Sequence, residues 1–178
     1  MLRLFVGLGL PDGVAARLSI LCAGVPGASW VEPANLHLTL RFIGEVEEHE
    51  AEEIDGLLAG ITAPAFSLTL AGVNTFGEGA KARAVWAAVQ PSAALSHLQA
   101  KVESAVVRAG RPAEGRKFTP HVTLARLHKP QPPRLAAFLE GNAPFQAGPF
   151  RIEHFTLFES RPGKGSPVYI PLVDYSLN

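Results

Sequence analysis

The sequence predicts an α+β protein of antiparallel sheets with helices on their outer faces, and three observations carry that expectation. Candidate strands bury one face and leave the other wet, as where Phe66, Leu68 and Leu70 alternate with Ser67, Thr69 and Ala71. Strands and helices follow one another without the regular crossovers of a parallel sheet. One short pattern also occurs twice, as Asn35-Leu36-His37-Leu38-Thr39-Leu40-Arg41-Phe42 and as Pro120-His121-Val122-Thr123-Leu124-Ala125-Arg126-Leu127.

In a strand, alternate side chains point to opposite faces, so each copy projects a His and a Thr on one side and apolar residues on the other. With six His and seven Thr in 178 residues, a Thr two places after a given His arises by chance about once in twenty-five. A single copy is equally well explained as a half-buried strand histidine bonded to backbone. Two copies are not. The 84-residue offset between His37 and His121 also carries the acidic helix start at Glu47 to Gln131 and Phe66 to Phe150. Both halves therefore read strand, helix, His-x-Thr strand, helix, strand, and a pseudo-twofold arrangement would turn two histidines toward one shared cleft.

Taken in order, Met1 to Leu8 alternates as a strand, and Gly7 to Gly13 turns into a helix carrying Val14, Leu18, Leu21, Cys22 and Val25 at helical spacing, with Asp12 as its expected cap. Those glycines do not form a dinucleotide fingerprint, because the third stands one place late and Pro11 interrupts the turn. Trp30-Val31-Glu32-Pro33 leads into the first His-x-Thr strand, which Gly44 closes. Glu47 to Ile61 then places Ala51, Ile54, Leu57, Leu58 and Ile61 on one helical face. Phe66 to Ala71 is a strand, Gly77 to Lys81 a loop, Ala84 to Val89 a strand, and Leu95, Leu98, Val102, Ala105 and Val106 mark the longest helix. Gly110 and Gly115 are spaced as in a phosphate loop, but Arg116-Lys117-Phe118 stands where Lys-Ser or Lys-Thr is needed, and a strand follows. After the second motif, Pro130, Pro132 and Pro133 precede a short helix through Leu135, Phe138 and Leu139. Phe150 to Glu159 and Val168 to Val173 are strands joined by the basic loop Arg161-Pro162-Gly163-Lys164-Gly165.

Residues 1–178 fit one domain, or two small lobes sharing a core, and 47% hydrophobic content is ample for burial. The longest apolar runs fall short of a membrane span and Met1 to Val6 is too short for a signal peptide, so a cytoplasmic protein without membrane association is expected. The lone Cys22, on an apolar stripe, excludes an internal disulfide and a cysteine zinc site and reads as packing. Sixteen basic residues balance sixteen acidic ones, which argues against a protein gripping long nucleic acid through many phosphates. Acidic residues crowd Glu45 to Asp55. Lys81, Arg83, Arg111, Arg116, Lys117, Arg126 and Lys129 dominate the middle of the chain, as a solvated basic face or as a local cleft for a small phosphorylated ligand or RNA end.

Two imidazoles and two hydroxyls suit phosphodiester cleavage. Histidine donates and accepts protons near neutral pH, and a Thr hydroxyl beside it can donate to a non-bridging phosphate oxygen. Trp30-Val31-x-Pro33-x-Asn35-Leu36-His37-Leu38-Thr39-Leu40-Arg41-Phe42-x-Gly44, with Pro120-His121-Val122-Thr123-Leu124-Ala125-Arg126, resembles the 2H phosphoesterases, and within them the bacterial RNA 2′,3′-cyclic phosphodiesterases also called 2′-5′ RNA ligases. The resemblance spans nearly the whole chain. It implies a bilobal fold of two related lobes around a central cleft, no metal and no cofactor. The implied reaction is hydrolysis of RNA 2′,3′-cyclic phosphate ends, or of cyclic nucleotides, to 2′-phosphomonoesters, with reversible 2′-5′ ligation as a companion. By position, His37 would protonate the departing 3′ oxygen, His121 would take a proton from water, and Thr39 and Thr123 would hold the phosphate. A monomer is expected.

Arg126 matches an arginine that follows the family's second motif, and Phe42 a position near the nucleobase. Simple alternation instead puts Arg126 opposite His121, so that a bulge or strand end must turn it inward, and puts Phe42 in the core. Tyr169 and Arg161 are within reach of the cleft from the last hairpin. His49, His97, His128 and His154 lie outside the motif and read as surface or structural. Two rival readings stand beside hydrolysis. One is a non-catalytic module of the same fold that holds RNA ends or nucleotides. The other is a metallohydrolase, which neither motif supports with a carboxylate.

Overall fold

The sequence's punctuation sets most element boundaries in the computed structural model, which describes all 178 residues. In chain order the elements are β1 (Leu2–Gly9), α1 (Asp12–Leu21), β2 (Ala28–Trp30), β3 (His37–Val46), α2 (Glu48–Ala59), β4 (Phe66–Phe76), β5 (Ala84–Val89), α3 (Ala93–Arg108), β6 (His121–Leu127), α4 (Pro132–Gly141), β7 (Gln146–Ile152), β8 (His154–Arg161) and β9 (Val168–Ser176). A capping box between Glu47 and Glu50 starts α2, and the Ser92 hydroxyl accepts the Leu95 N–H to start α3. Asp12 is not the cap of α1. Pro11 holds that position, and Asp12 sits in the first turn, where its charge still complements the helix dipole. The helix also stops at Leu21, short of Val25.

All strands join one antiparallel sheet in the order β7-β4-β5-β6-β3-β1-β8-β9, with β2 paired to β6. The two His-x-Thr strands, β3 and β6, are its central pair. Five strands, β2 among them, lie on the β6 side of the seam and four on the β3 side, making the two lobes. These lobes are not the two halves of the chain. The expected strand Phe150 to Glu159 is in fact two strands: β7 pairs with β4 at one end of the sheet, and β8 pairs with β1 toward the other. Glu153 and His154, consecutive and exposed, break the alternation where the chain crosses between lobes. β4 likewise outruns its expected end at Ala71, because Gly72, at φ +77°, sits in a bulge after which pairing with β5 resumes.

Helices also cross the seam. α1 follows β1 but reaches the other lobe, where Arg17 donates to the Gln146 carbonyl and lies over the Phe145 ring. α3 follows β5 yet packs on β3 and α2. The apolar side of the sheet and the helices share one core, in which Leu4, Val6, Leu38, Leu70, Leu98, Val122 and Leu124 are fully buried, each contributing about 2 kcal/mol of burial. No helix is long and apolar enough to cross a membrane.

Candidate active site

Leu38 of β3 pairs with Val122 of β6, the single ladder pair that joins the lobes. Antiparallel pairing carried one residue either way puts His37 opposite Thr123 and Thr39 opposite His121. The four polar side chains therefore form a compact square on one face, backed by the buried Leu38 and Val122. They stand on neighbouring strands, not on strands facing each other across a gap.

Both strands then bulge at the same place. Thr39 pairs with Gly7 and Arg41 with Val6, so Leu40 is an extra residue in β3. Thr123 pairs with Trp86 and Ala125 with Val85, so Leu124 is the extra residue in β6. The bulge reverses the alternation beyond it. Leu40 and Arg41 are both buried, as are Leu124 and Ala125, and the next residues, Phe42 and Arg126, turn to the cleft. The core placement that simple alternation gives Phe42 is thus wrong: its side chain is 45% exposed and lines the cleft.

The histidines are oriented from behind. A carbonyl can only accept, so Nδ1–H of His37 donates to the Asn35 oxygen at 2.7 Å. That leaves Nε2 to take the Thr39 hydroxyl proton at 2.9 Å in the neutral ring. Nδ1–H of His121 donates in the same way to the Thr119 carbonyl at 2.6 Å, and its Nε2 has no protein partner. Phe5 lies 4.8 Å from the His37 ring, with Tyr169 edge-on at 5.2 Å. Phe76 stands edge-on to His121 at 4.9 Å, with Trp86 at 5.5 Å. Burial pushes the pKa of His37 below the usual histidine value; the Asn35 carbonyl opposes this, and a charge on His121 adds to it. The two rings therefore resist being protonated together.

A cleft of about 610 Å³ opens on the His37 side, lined by Thr39, Phe42, Arg126 and Tyr169 and covered by the loop between β8 and β9. The Asn35 side-chain amide donates to the Pro167 carbonyl at 2.9 Å and so ties that loop to the turn before His37. Tyr169 and Arg161 both reach the cleft, and Arg161 also pairs with Glu159 at 3.0 Å. His121 and Thr123 are outside its lining, which makes the cleft one-sided. Of the seven basic residues in the middle of the chain only Arg126 lines it. Arg111 is turned toward Glu50, Arg116 pairs with Glu114, and Arg83 lies over Phe76. His49, His97, His128 and His154 are exposed. Cys22 packs half-buried, its thiol pushed up to about 11 by burial, which leaves it a poor nucleophile.

Sequence reasoning named Tyr169 but passed over the aromatic supports Phe5 and Trp86, although a signal existed. Phe5 is out of phase with Leu4, Val6 and Leu8, and Trp86 with Val85 and Ala87, so each is an aromatic ring on the wet face of its strand. It also passed over two positioning features. A Cβ on Gly7 would lie 2.9 Å from the Leu38 carbonyl oxygen and 3.6 Å from Cδ2 of His37, so only glycine lets β1 approach the motif strand this closely. Arg41, turned inward by the bulge, donates to Glu103 and to the Pro112 carbonyl, while Glu103 accepts the Glu114 N–H at 3.0 Å. The segment leading to β6 is thereby anchored on the first motif strand.

The family model described as the 2′-5′ RNA ligase superfamily matches residues 15–164. A protein of Aeropyrum pernix named RNA 2′,3′-cyclic phosphodiesterase is 36% identical over 166 residues, covering 91% of this chain and 94% of its own length. One of the same name from Escherichia coli K12 is 35% identical over 145 residues, covering 80% of this chain and 76% of its own. Among solved structures, E. coli LigT complexed with 3′-AMP superposes with a TM-score of 0.79 at 28% identity, covering 99% of this chain and 98% of that one.

Proposed function

The chain belongs to the 2′-5′ RNA ligase superfamily, and from that premise we propose that it is an RNA 2′,3′-cyclic phosphodiesterase working by paired-histidine acid-base catalysis. The observation that carries the mechanism is the square of two His and two Thr at the seam, with both rings held at Nδ1 by a backbone carbonyl, so that Nε2 faces the motif's own Thr39 hydroxyl in His37 and is free in His121. Water attacks phosphorus as His121 Nε2 takes its proton. The bond from phosphorus to the 3′ oxygen breaks as His37 Nε2 delivers a proton to that oxygen, leaving a 2′-phosphomonoester. His37 ends neutral and His121 protonated, and exchange with solvent resets the pair. The Thr39 and Thr123 hydroxyls donate to the non-bridging oxygens, where charge grows in the transition state.

The one-sided cleft supports this division of labour. In-line displacement puts the attacking water and the departing oxygen on opposite sides of phosphorus, and the departing oxygen carries the nucleoside. The nucleoside therefore lies on the proton donor's side, and the cleft opens beside His37. A bound anionic phosphate offsets the burial that depresses His37, so the ring carries its proton when substrate is present. Phe42 and Arg126 contact the substrate from the same cleft. A 5′-hydroxyl in place of water would give 2′-5′ ligation by the same steps. Both motifs reside in one chain, so a monomer suffices.

The reacting groups are imidazoles and hydroxyls without a carboxylate, so the reaction is metal-independent. An oligonucleotide ending in a 2′,3′-cyclic phosphate, incubated with exhaustively chelated protein, should yield the 2′-phosphomonoester at an undiminished rate. A 3′-phosphomonoester product, or activity that zinc or manganese must restore, would overturn the mechanism.

A further inference from the structure

The cleft is longer than one nucleotide. It follows β3 from His37 to Phe42, a run that, with the bulge at Leu40, advances as far as Gly9 to Phe5 in β1, about 13 Å along the strand. Successive backbone charges of a stacked nucleic-acid strand are offset by about 3.4 Å along its helix axis. At the Phe42 end stands Arg3, exposed, in no ion pair, with its guanidinium carbon 5.1 Å from the centre of the Phe42 ring. Arg126 and Arg161 line the same cleft, against a single carboxylate, Glu32. In a chain of zero net charge, this wall holds two arginines outside any ion pair, Arg3 and Arg126, while Arg161 is paired with Glu159. A nucleoside 2′,3′-cyclic phosphate brings one negative charge, and an oligonucleotide end brings a second through the phosphodiester 5′ of its last nucleotide.

Building on the proposed activity, we infer that the cleft selects an oligonucleotide end over a mononucleotide, with Arg3, poised over the Phe42 ring, holding a phosphodiester 5′ of the terminal nucleotide. Arg3 is then a specificity residue that takes no part in the chemistry. The positive charge at that end is what matters, so lysine should serve in part.

Wild type, Arg3→Ala and Arg3→Lys are compared on adenosine 2′,3′-cyclic phosphate and on the dinucleotide ApA bearing a 2′,3′-cyclic phosphate. Wild type should favour the dinucleotide by about tenfold in kcat/KM, mostly through KM. Arg3→Ala should lose that preference while keeping wild-type activity on the mononucleotide, and Arg3→Lys should retain part of it. Equal kcat/KM for the two substrates in wild type, or an equal loss on both in Arg3→Ala, would overturn the inference. Binding of the corresponding 2′-phosphorylated products, measured on the same proteins, decides the length preference even if neither substrate is hydrolysed. The latter result would overturn the proposed activity alone.

Discussion

The two His-x-Thr strands share a backbone and differ in surroundings. Both pair across the seam, both hold Nδ1 on a carbonyl two residues upstream, and both bulge after the Thr. From there they diverge. His37 is bonded to its own Thr, enclosed by Phe5 and Tyr169, and opens on a cleft, whereas His121 keeps a free Nε2 over Phe76 and Trp86. The bulge delivers an aromatic ring, Phe42, on one side and a guanidinium, Arg126, on the other. In the proposed mechanism the shared geometry supplies two proton carriers, and the unlike surroundings are what distinguishes the carrier for the departing nucleoside from the carrier for water.

Replacing either histidine is the harshest way to break the symmetry. His37→Ala and His121→Ala should each lower the rate on the order of 10²- to 10⁴-fold with the protein still folded, since neither ring is part of the core cluster. Thr39→Ala and Thr123→Ala should cost less, on the order of 10²-fold or below, because one hydroxyl donor remains. Thr39→Ala should additionally alter the pH profile, because its hydroxyl bonds Nε2 of His37. Steady-state rates of the four variants over a pH series check both statements.

A milder probe uses the approach of β1. Gly7→Ala puts a Cβ against the Leu38 carbonyl oxygen, whereas Gly9→Ala meets nothing within 4 Å. The first should slow turnover about tenfold, as a misplaced acid does, and the second should be silent. Comparable activity in the two variants would show that the spacing of β1 and β3 does not position His37.

The smallest expected effect is a shift in pH dependence. Burial and the neighbouring His121 charge lower the pKa of His37 in the free protein, so its proton is lost early as pH rises; if His37 is the proposed acid, an anionic phosphate bound beside it should delay that loss. The alkaline limb of kcat should therefore lie at higher pH than that of kcat/KM, with both limbs belonging to the coupled pair. Coincident limbs would mean that substrate does not recharge His37.

Much of this was legible in the chain. The 84-residue offset that relates the motifs also relates Leu38 to Val122, the pair on which the seam is built, and Glu47 to Gln131, which occupy the N-terminal cap positions of α2 and α4. Periodicity located all four helices. What escaped was whatever depends on departures from regular alternation. Phe42 and Arg126 change face because one residue is inserted into each ladder, and no local propensity marks Leu40 or Leu124 as that residue. β7 and β8 look like one strand because both are apolar and adjacent, and only tertiary pairing sends them to opposite lobes. The pair of buried Arg41 with half-buried Glu103 joins residues distant in sequence, which the local pattern of charge does not connect.

Whether the two histidines act in one step is tested most directly by a double-mutant cycle of single-turnover rates on an RNA 2′,3′-cyclic phosphate end, using wild type, His37→Ala, His121→Ala and the double variant. Partners in a single proton-transfer step are non-additive, so the double variant should be little slower than the worse single one. Losses that multiply, or near wild-type activity in either folded single variant, would contradict paired acid-base catalysis at the seam.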